Sequence, residues 1–347
     1  MSNRADGPRA ALFGCAGPIL EAQERDFFRT ADPLGFILFQ RNCRNPDQTR
    51  RLVADLRASV GRDDAPVLID QEGGRVARLK PPHWRAAPPA ARIAALANPA
   101  TPERLAAAAR AARMNAQLIG AELADLGITV DCAPVLDVPQ PGAHDIIGDR
   151  AYGSDPQIIA SLGRAVCDGL LDAGVLPILK HMPGHGRAAA DSHFDRPIVA
   201  TARAELERTD FVPFRALADM PWAMTAHIVY SAIDARAPAT VSASVIAEII
   251  RGSIGFGGFL VSDDLSMQAL GDDLGARTRA SIAAGCDAVL HCNGKMAEME
   301  AVAAAAPGLA LPAQARLARG EALRRRRRSA VDVGATVAAF DQLLATA

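Results

Sequence analysis

Residues 175–193 read Val175-Leu-Pro-Ile-Leu-Lys-His-Met-Pro-Gly-His-Gly-Arg-Ala-Ala-Ala-Asp-Ser-His193. The stretch begins as an apolar run. From Leu179 to His193 it then packs one Lys, three His and one Asp into fifteen residues. Pro183, Gly184 and Gly186 rule out a regular helix there. A buried strand that empties into a loop of titratable groups is poor material for a scaffold and good material for a site. It also suggests where to look for partners, at the ends of other strands.

Working outward, short apolar runs alternate with longer helical segments along the chain. Strands are expected at 10–15, 35–39, 67–69, 128–134, 175–179, 223–229, 259–261 and 287–290. Helices are expected from about Asn45, over 101–126, 155–173, 201–218, 242–251 and 273–284. Thr101 and Asp155 are placed as N-caps, each followed by a Pro suited to the first turn. Strands too apolar to alternate belong to a parallel sheet covered on both faces. Eight βα units are the number that closes a (β/α)8 TIM barrel, typically ~250 residues and more with insertions. An open doubly wound sheet would instead need a Gly-rich phosphate turn after the first strand. Gly14-Cys-Ala-Gly17 is a weak candidate for one. The expected organisation is one catalytic barrel over residues 1–347, with 311–347 as a C-terminal helical extension that caps it.

The bulk composition narrows the function classes. The chain has 347 residues, is 50% hydrophobic and carries a formal charge of −1. That balance gives no general attraction to nucleic acid or to a membrane surface. Arg324 to Arg328 form a basic run, read as a solvated face of a terminal helix. Six cysteines lie scattered without CxxC spacing, several in apolar runs, as expected for free thiols in a reducing compartment. No long apolar stretch follows the N-terminal charged residues, and none approaches the ~20 residues of a membrane span. A cytoplasmic enzyme with no cofactor and no metal is expected.

Polar residues collect where the strands end. Asp70-Gln-Glu-Gly-Gly-Arg75-Val-Ala-Arg78 follows the third strand. Asp137 and then Gly148-Asp-Arg150 follow the fourth, and Lys180 and His181 the fifth. His227 lies near the end of the sixth, Ser262-Asp263-Asp264 closes the seventh, and His291 follows the eighth. One such residue can simply cap the next helix. Clusters at most strand ends, all on one face, point to a site. Its mixture of both charge signs suits a polyhydroxylated substrate better than a phosphate.

Four of these motifs, in order, carry a resemblance. They are Asp70-Gln-Glu-Gly-Gly-Arg75, Gly148-Asp-Arg150, Lys180-His-x-Pro-Gly-His-Gly-x4-Asp191-Ser-His193 and Ser262-Asp-Asp-Leu-Ser-Met267. Together they resemble the β-N-acetylglucosaminidases of glycoside hydrolase family three, and the Lys-His…Asp-Ser-His stretch is the one that separates these from the β-glucosidases of the family. The resemblance implies a single (β/α)8 barrel that removes terminal N-acetylglucosamine with retention. It implies Asp263 as nucleophile, His193 as general acid/base with Asp191 as its partner, and Asp70, Arg78, Arg150, Lys180 and His181 as sugar ligands. It implies a muropeptide or chitooligosaccharide substrate, with bacterial cytoplasmic members of this size acting in cell-wall recycling.

The chemistry of these residue types fits those roles. A retaining glycosidase usually sets two carboxyls ~5–5.5 Å apart. Here a histidine stands for one of them, and an imidazole of pKa ~6.5 can give a proton and take one back near neutrality. Asp263 and Asp264 are adjacent, so one alone is expected to enter the barrel mouth. Asp264 is expected to brace the loop, and His185 to hold its own turn. Four other readings remain at this level. A substrate-assisted mechanism would use the 2-acetamido group as nucleophile, with Asp263 and Asp264 as its helpers. A metal-dependent hydrolase could use His181, His185, Asp191 and His193 as ligands, although Pro183-Gly184 breaks the helix that would align the first two. A phosphorylase would exploit an acid/base that does not repel phosphate. A non-catalytic barrel would bind the sugar without turnover.

Overall fold

The structure, a computed structural model, describes residues 7–142, 144–188, 196–271 and 273–345. Its centre is a closed barrel of parallel strands in the order β1-β10-β9-β7-β5-β4-β3-β2. The barrel strands are β1 (Arg9–Gly14), β2 (Pro33–Leu38), β3 (Val67–Ile69), β4 (Val130–Asp131), β5 (Leu176–Met182), β7 (Trp222–Thr225), β9 (Phe259–Asp264) and β10 (Ala288–His291). Two further strands, β6 (Ile198–Val199) and β8 (Val229–Tyr230), pair in parallel as a small separate sheet. The closed sheet excludes the open doubly wound alternative and gives the expected (β/α)8 barrel.

Around the barrel run α1 (Ala22–Ala31), α2 (Pro46–Val60), α3 (Ala90–Ala94), α4 (Pro102–Asp125), α5 (Pro156–Asp172), α6 (Arg203–Arg208), α7 (Phe211–Ala216), α8 (Leu274–Ala284) and α9 (Met296–Ala305), with α10 (Leu311–Arg327) and α11 (Val333–Leu344) at the end of the chain. A π-helical segment, Val245–Ser253, lies between β8 and β9. The helix starts follow from side-chain chemistry. Asn45, Thr101, Asp155 and Asp273 each accept a hydrogen bond from a first-turn amide that the helix itself cannot satisfy. Each such cap contributes about 1 kcal/mol. Pro46, Pro102 and Pro156 stand just inside three of these caps, where the missing N–H costs nothing.

Four expectations about the elements are corrected. The helix expected over 201–218 is two short helices, because Pro213 has no N–H to give the residue 209 carbonyl and its ring crowds that turn. The fourth strand shrinks to Val130–Asp131, since Pro134 cannot donate to the ladder. The run 223–229 divides, giving β7 to the barrel and Val229 to β8. The fifth and seventh strands run further than their apolar cores, so Lys180, His181, Asp263 and Asp264 stand within strands and not after them. Helices α1 and α9 were not anticipated.

The arginine run is less solvated than its composition suggests. Arg324 pairs with Glu321 at 2.6 Å and donates to the Gly174 carbonyl, and Arg327 reaches Asp168 and Asp172 at 2.9 and 3.3 Å. These contacts tie the end of α10 to the end of α5. Trp222 is core, stacked on Phe259 with ring centroids 4.4 Å apart. Among the described residues no helix is long and apolar enough to cross a membrane.

Candidate active site

The C-terminal strand ends converge on a cavity of about 220 Å³. Asp70, Arg78, Arg150, Lys180, His181 and Asp263 all line it, so six of the eight residues singled out from the sequence come together. Asp191 and His193 lie outside the described residues. Phe39 and Met267 also line this cavity, whereas Phe36 and Met182 are core. A larger cavity, about 900 Å³, lies at the opposite end of the barrel beneath Leu34, Leu176 and Trp222. That end, where strands begin, is where barrel residues contribute stability and not chemistry.

A charge network builds one wall. Lys180 is 2% exposed, and its Nζ lies 2.9 Å from Asp70 Oδ1 and 2.6 Å from Glu72 Oε1. Arg78 reaches the other Asp70 oxygen at 3.1 Å. Arg150 grips Glu72 through two parallel bonds of 2.8 Å, the geometry that a planar guanidinium matches best. Burial alone would favour protonated Asp70 and Glu72. The adjacent cations outweigh it and hold both carboxyls below their usual range. For Lys180, burial opposes the ammonium, but Asp70 and Glu72 overcome it and raise the pKa. Lys180 therefore stays charged, in a site where an unpaired ammonium would not.

Two groups that hold this wall were not assigned a role from sequence. Glu72 is the common partner of Lys180 and Arg150. Gln71 folds the 71–79 loop back on itself. Its Oε1 accepts from Arg78 N at 2.8 Å and Leu79 N at 3.0 Å, while Nε2 donates to the Leu79 carbonyl. That clasp returns Arg78 to Asp70 across eight positions. The only sequence signal for it is an uncharged amide in an otherwise charged motif.

A histidine pair forms the second wall. Asp137 is fully buried and accepts three hydrogen bonds, from His181 N, His185 N and the His181 ring. Burial pushes its carboxyl up, but His181 and these bonds dominate and bring it down to about 2. An ionised Asp137 needs a donor, so His181 Nδ1 carries hydrogen. His185 is buried and is lowered to about 4, first by burial and then by His181, so it is neutral near pH 7. Its backbone, bonded to Asp137 and to Ala188 N, holds the turn as expected. Gly186 is obligatory there, since a Cβ would lie 2.1 Å from the Val138 carbonyl oxygen.

Asp263 faces these walls from β9. Its Oδ1 accepts from Asp264 N at 2.8 Å, and Oδ2 has no hydrogen-bond partner among the described residues. Burial raises its carboxyl, but His227, His181, the Asp264 amide and Lys180 together bring it below its usual value. The expectation that only one of the two adjacent aspartates enters the mouth needs correcting, since both line the cavity. Position in the pleat does not separate them at a strand end. Hydrogen bonding does: the Asp264 carboxylate is taken up by Ser266 N, Ser266 Oγ and Cys292 N at 3.0, 2.6 and 3.2 Å. Asp264 braces the loop, as expected, and Asp263 keeps a carboxylate oxygen with no hydrogen-bond partner among the described residues.

Comparison with known proteins agrees with this geometry. The glycosyl hydrolase family 3 N-terminal domain matches residues 22–321. A β-hexosaminidase of Alkalilimnicola ehrlichii is 40% identical over 287 residues, covering 81% of this chain and 80% of that protein. One of Thiobacillus denitrificans is 40% identical over 307 residues, covering 86% and 83%. Among solved structures, NagZ of Neisseria gonorrhoeae in complex with N-trifluoroacetyl-D-glucosamine superposes with a TM-score of 0.84 at 29% identity, covering 98% of each chain. A family 3 β-N-acetylglucosaminidase from a Paenibacillus strain superposes at 0.81 and 29% identity, covering 96% of this chain and 66% of that one. A match over most of the chain, with a charged cavity at the face where such barrels do their chemistry, identifies it as a glycoside hydrolase belonging to glycosyl hydrolase family 3.

Proposed function

We propose that the protein is a retaining exo-β-N-acetylhexosaminidase that releases terminal N-acetylglucosamine from muropeptide-type substrates in cell-wall recycling. The observation that carries this reading is Asp263 Oδ2, without a hydrogen-bond partner among the described residues, lining a cavity of about 220 Å³ with Lys180, Asp70, Arg78 and His181. A cavity of that size takes one sugar ring, which suits removal of a terminal residue. Asp70, Arg78, Lys180 and His181 offer donors and acceptors of both kinds to ring hydroxyls and to a 2-acetamido group. Arg150 contributes at the rim while held by Glu72.

In the first step Asp263 Oδ2 attacks the anomeric carbon. The bond from that carbon to the leaving oxygen breaks, its electron pair stays on oxygen, and a proton arrives there from the acid/base. In the second step water adds to the anomeric carbon as the ester bond to Asp263 breaks, and the acid/base takes the water proton. We assign the acid/base to His193 and its partner to Asp191, on the Asp-Ser-His motif shared with the family. In this scheme Lys180 and Arg78 keep Asp70 ionised to accept from sugar hydroxyls, and the Asp264 amide aims Asp263.

The six free, buried cysteines suit a reducing compartment, in keeping with a cytoplasmic location. We treat residues 1–347 as one catalytic unit in which α10 and α11 brace the barrel. The test is covalent trapping with a 2-acetamido-5-fluoro glycosyl inactivator and peptide mass spectrometry. Label on Asp263, with N-acetylglucosamine and not its 1-phosphate as the product in phosphate buffer, is the expected result. Inactivation with no label on Asp263 refutes the covalent assignment. Phosphate-dependent turnover refutes hydrolysis. His193→Ala and Asp191→Ala should flatten the pH dependence of kcat, and an unchanged profile in both removes the dyad.

A further inference from the structure

His227 lies two residues past β7, is fully buried, and takes no part in the scheme above. Its ring joins two elements. Nε2 is 3.0 Å from the Asp264 carbonyl oxygen, and Nδ1 is 2.7 Å from Thr240 Oγ1. A carbonyl can only accept, so Nε2 carries the hydrogen. Thr240 Oγ1 is also 2.8 Å from Thr225 Oγ1. Thr240 Oγ1 also donates to the Ala226 carbonyl at 3.2 Å, so the same hydroxyl ties the ring to the backbone beside it. Burial lowers the His227 pKa, with His181 adding to it, against the opposing pull of Asp263 and Asp264.

Asp264 is the piece this ring holds. Its carboxylate is held by Ser266 and Cys292, its carbonyl by His227 and Met267 N, and its amide is the group that grips Asp263 Oδ1. Losing the His227 bond leaves the Asp264 carbonyl to Met267 N alone and loosens the residue whose amide, in the preceding peptide plane, holds Asp263.

We propose that His227 is a positioning residue for Asp263, donating Nε2–H to the Asp264 carbonyl so that the Asp264 amide holds Oδ1 and Oδ2 is left pointing at the sugar. The proposal rests on the assignment of Asp263 as nucleophile. It accounts for the Thr225–Thr240–His227 chain, which is otherwise an unexplained polar thread through the apolar barrel wall.

The test uses the full chain with 4-nitrophenyl N-acetyl-β-D-glucosaminide. His227→Phe fills the space without a donor, and His227→Gln restores an N–H at similar reach. The expected result is a kcat for His227→Phe lowered at least about thirtyfold with KM within threefold, and a kcat for His227→Gln back within about fivefold of the parent. Thr240→Val, which releases the other end of the ring at Nδ1, should lower kcat about tenfold and keeps the test usable if His227→Phe does not fold. Three results overturn the proposal: an unchanged kcat in His227→Phe or Thr240→Val, equal losses in His227→Phe and His227→Gln, or a KM that rises in step with the fall in kcat. Asp263→Asn separates the two claims. If it turns over normally, the nucleophile assignment fails. If it is inactive while His227→Phe is normal, only the positioning role fails.

Discussion

Replacing Asp131 by Asn should stabilise the protein above neutral pH and leave it nearly unchanged in acid. Asp131 is fully buried at the end of β4, behind the sugar-binding wall. Oδ1 accepts from Gln71 N at 2.9 Å, and Oδ2 has no partner among the described residues. Burial is the main cause of its shift, and Asp70 and Glu72 add to it. Against Lys180 and the Gln71 bond they raise the pKa from 3.8 to about 7. The folded state therefore prefers the neutral acid. Its contribution is complete below pH 3.8, falls as pH rises toward 7, and is flat beyond. At about 1.4 kcal/mol per pH unit, the parent gives up roughly 1.7 kcal/mol by pH 5 and about 4 kcal/mol by pH 8.

Asparagine keeps an acceptor for Gln71 and never ionises. The gap between variant and parent should thus open from near zero at pH 4 to about 4 kcal/mol at pH 8. For a chain of this length that is roughly 5 °C in Tm. Equilibrium urea unfolding, followed by circular dichroism at several pH values, reads the gap directly. Parallel stability curves for parent and variant between pH 5 and pH 8 would refute the reasoning. They would mean that Asp131 finds a partner or solvent when it ionises.

Other outcomes follow from the same charge network. Lys180→Met leaves Asp70 and Glu72 facing each other without their shared cation, and should cost about 3–5 kcal/mol at pH 7 by urea unfolding. Because that cation lowers both carboxyl pKa values, the deficit should shrink as pH falls and they protonate. Asp137→Asn removes a carboxylate brought down to about 2, so the variant should lose roughly 2 kcal/mol at pH 7 and less of it below pH 4. It should also lower kcat/KM at least tenfold, since His181 no longer has an ionised partner to select its tautomer. Gln71→Leu should open the 71–79 loop and lower kcat/KM about tenfold or more, chiefly through KM, as Arg78 leaves Asp70. Thr101→Ala tests the helix caps and should cost about 1 kcal/mol without changing the kinetics.

How much of this was legible varies with the range of the interaction. Caps and first-turn prolines at Asn45, Thr101, Asp155 and Asp273 are decided by neighbours two or three residues away, and the helices start where those residues sit. The barrel was legible because buried parallel strands must be apolar on both faces, and eight such runs leave few ways to close. The strand ends were not. Lys180, His181, Asp263 and Asp264 continue the sheet although their side chains are polar, because backbone pairing with neighbouring strands holds them there. The break at Thr209 and Asp210 follows from Pro213, a local signal within the same stretch.

The residue types at the strand ends, and their likeness to one family, are properties of the sequence by itself. They name Asp70, Arg78, Arg150, Lys180, His181 and Asp263 as a set without saying how any one of them is held. Partnership was decided only by the tertiary structure. Glu72 joins Lys180 to Arg150, Asp137 orients His181, and hydrogen bonds occupy the Asp264 carboxylate while Asp263 Oδ2 has no partner among the described residues. Each of these bonds closes a gap of tens of residues or more, or turns on which of two adjacent carboxylates meets a distant amide. Local propensity has no term for such contacts, and a closed barrel creates them by bringing every strand end to one mouth.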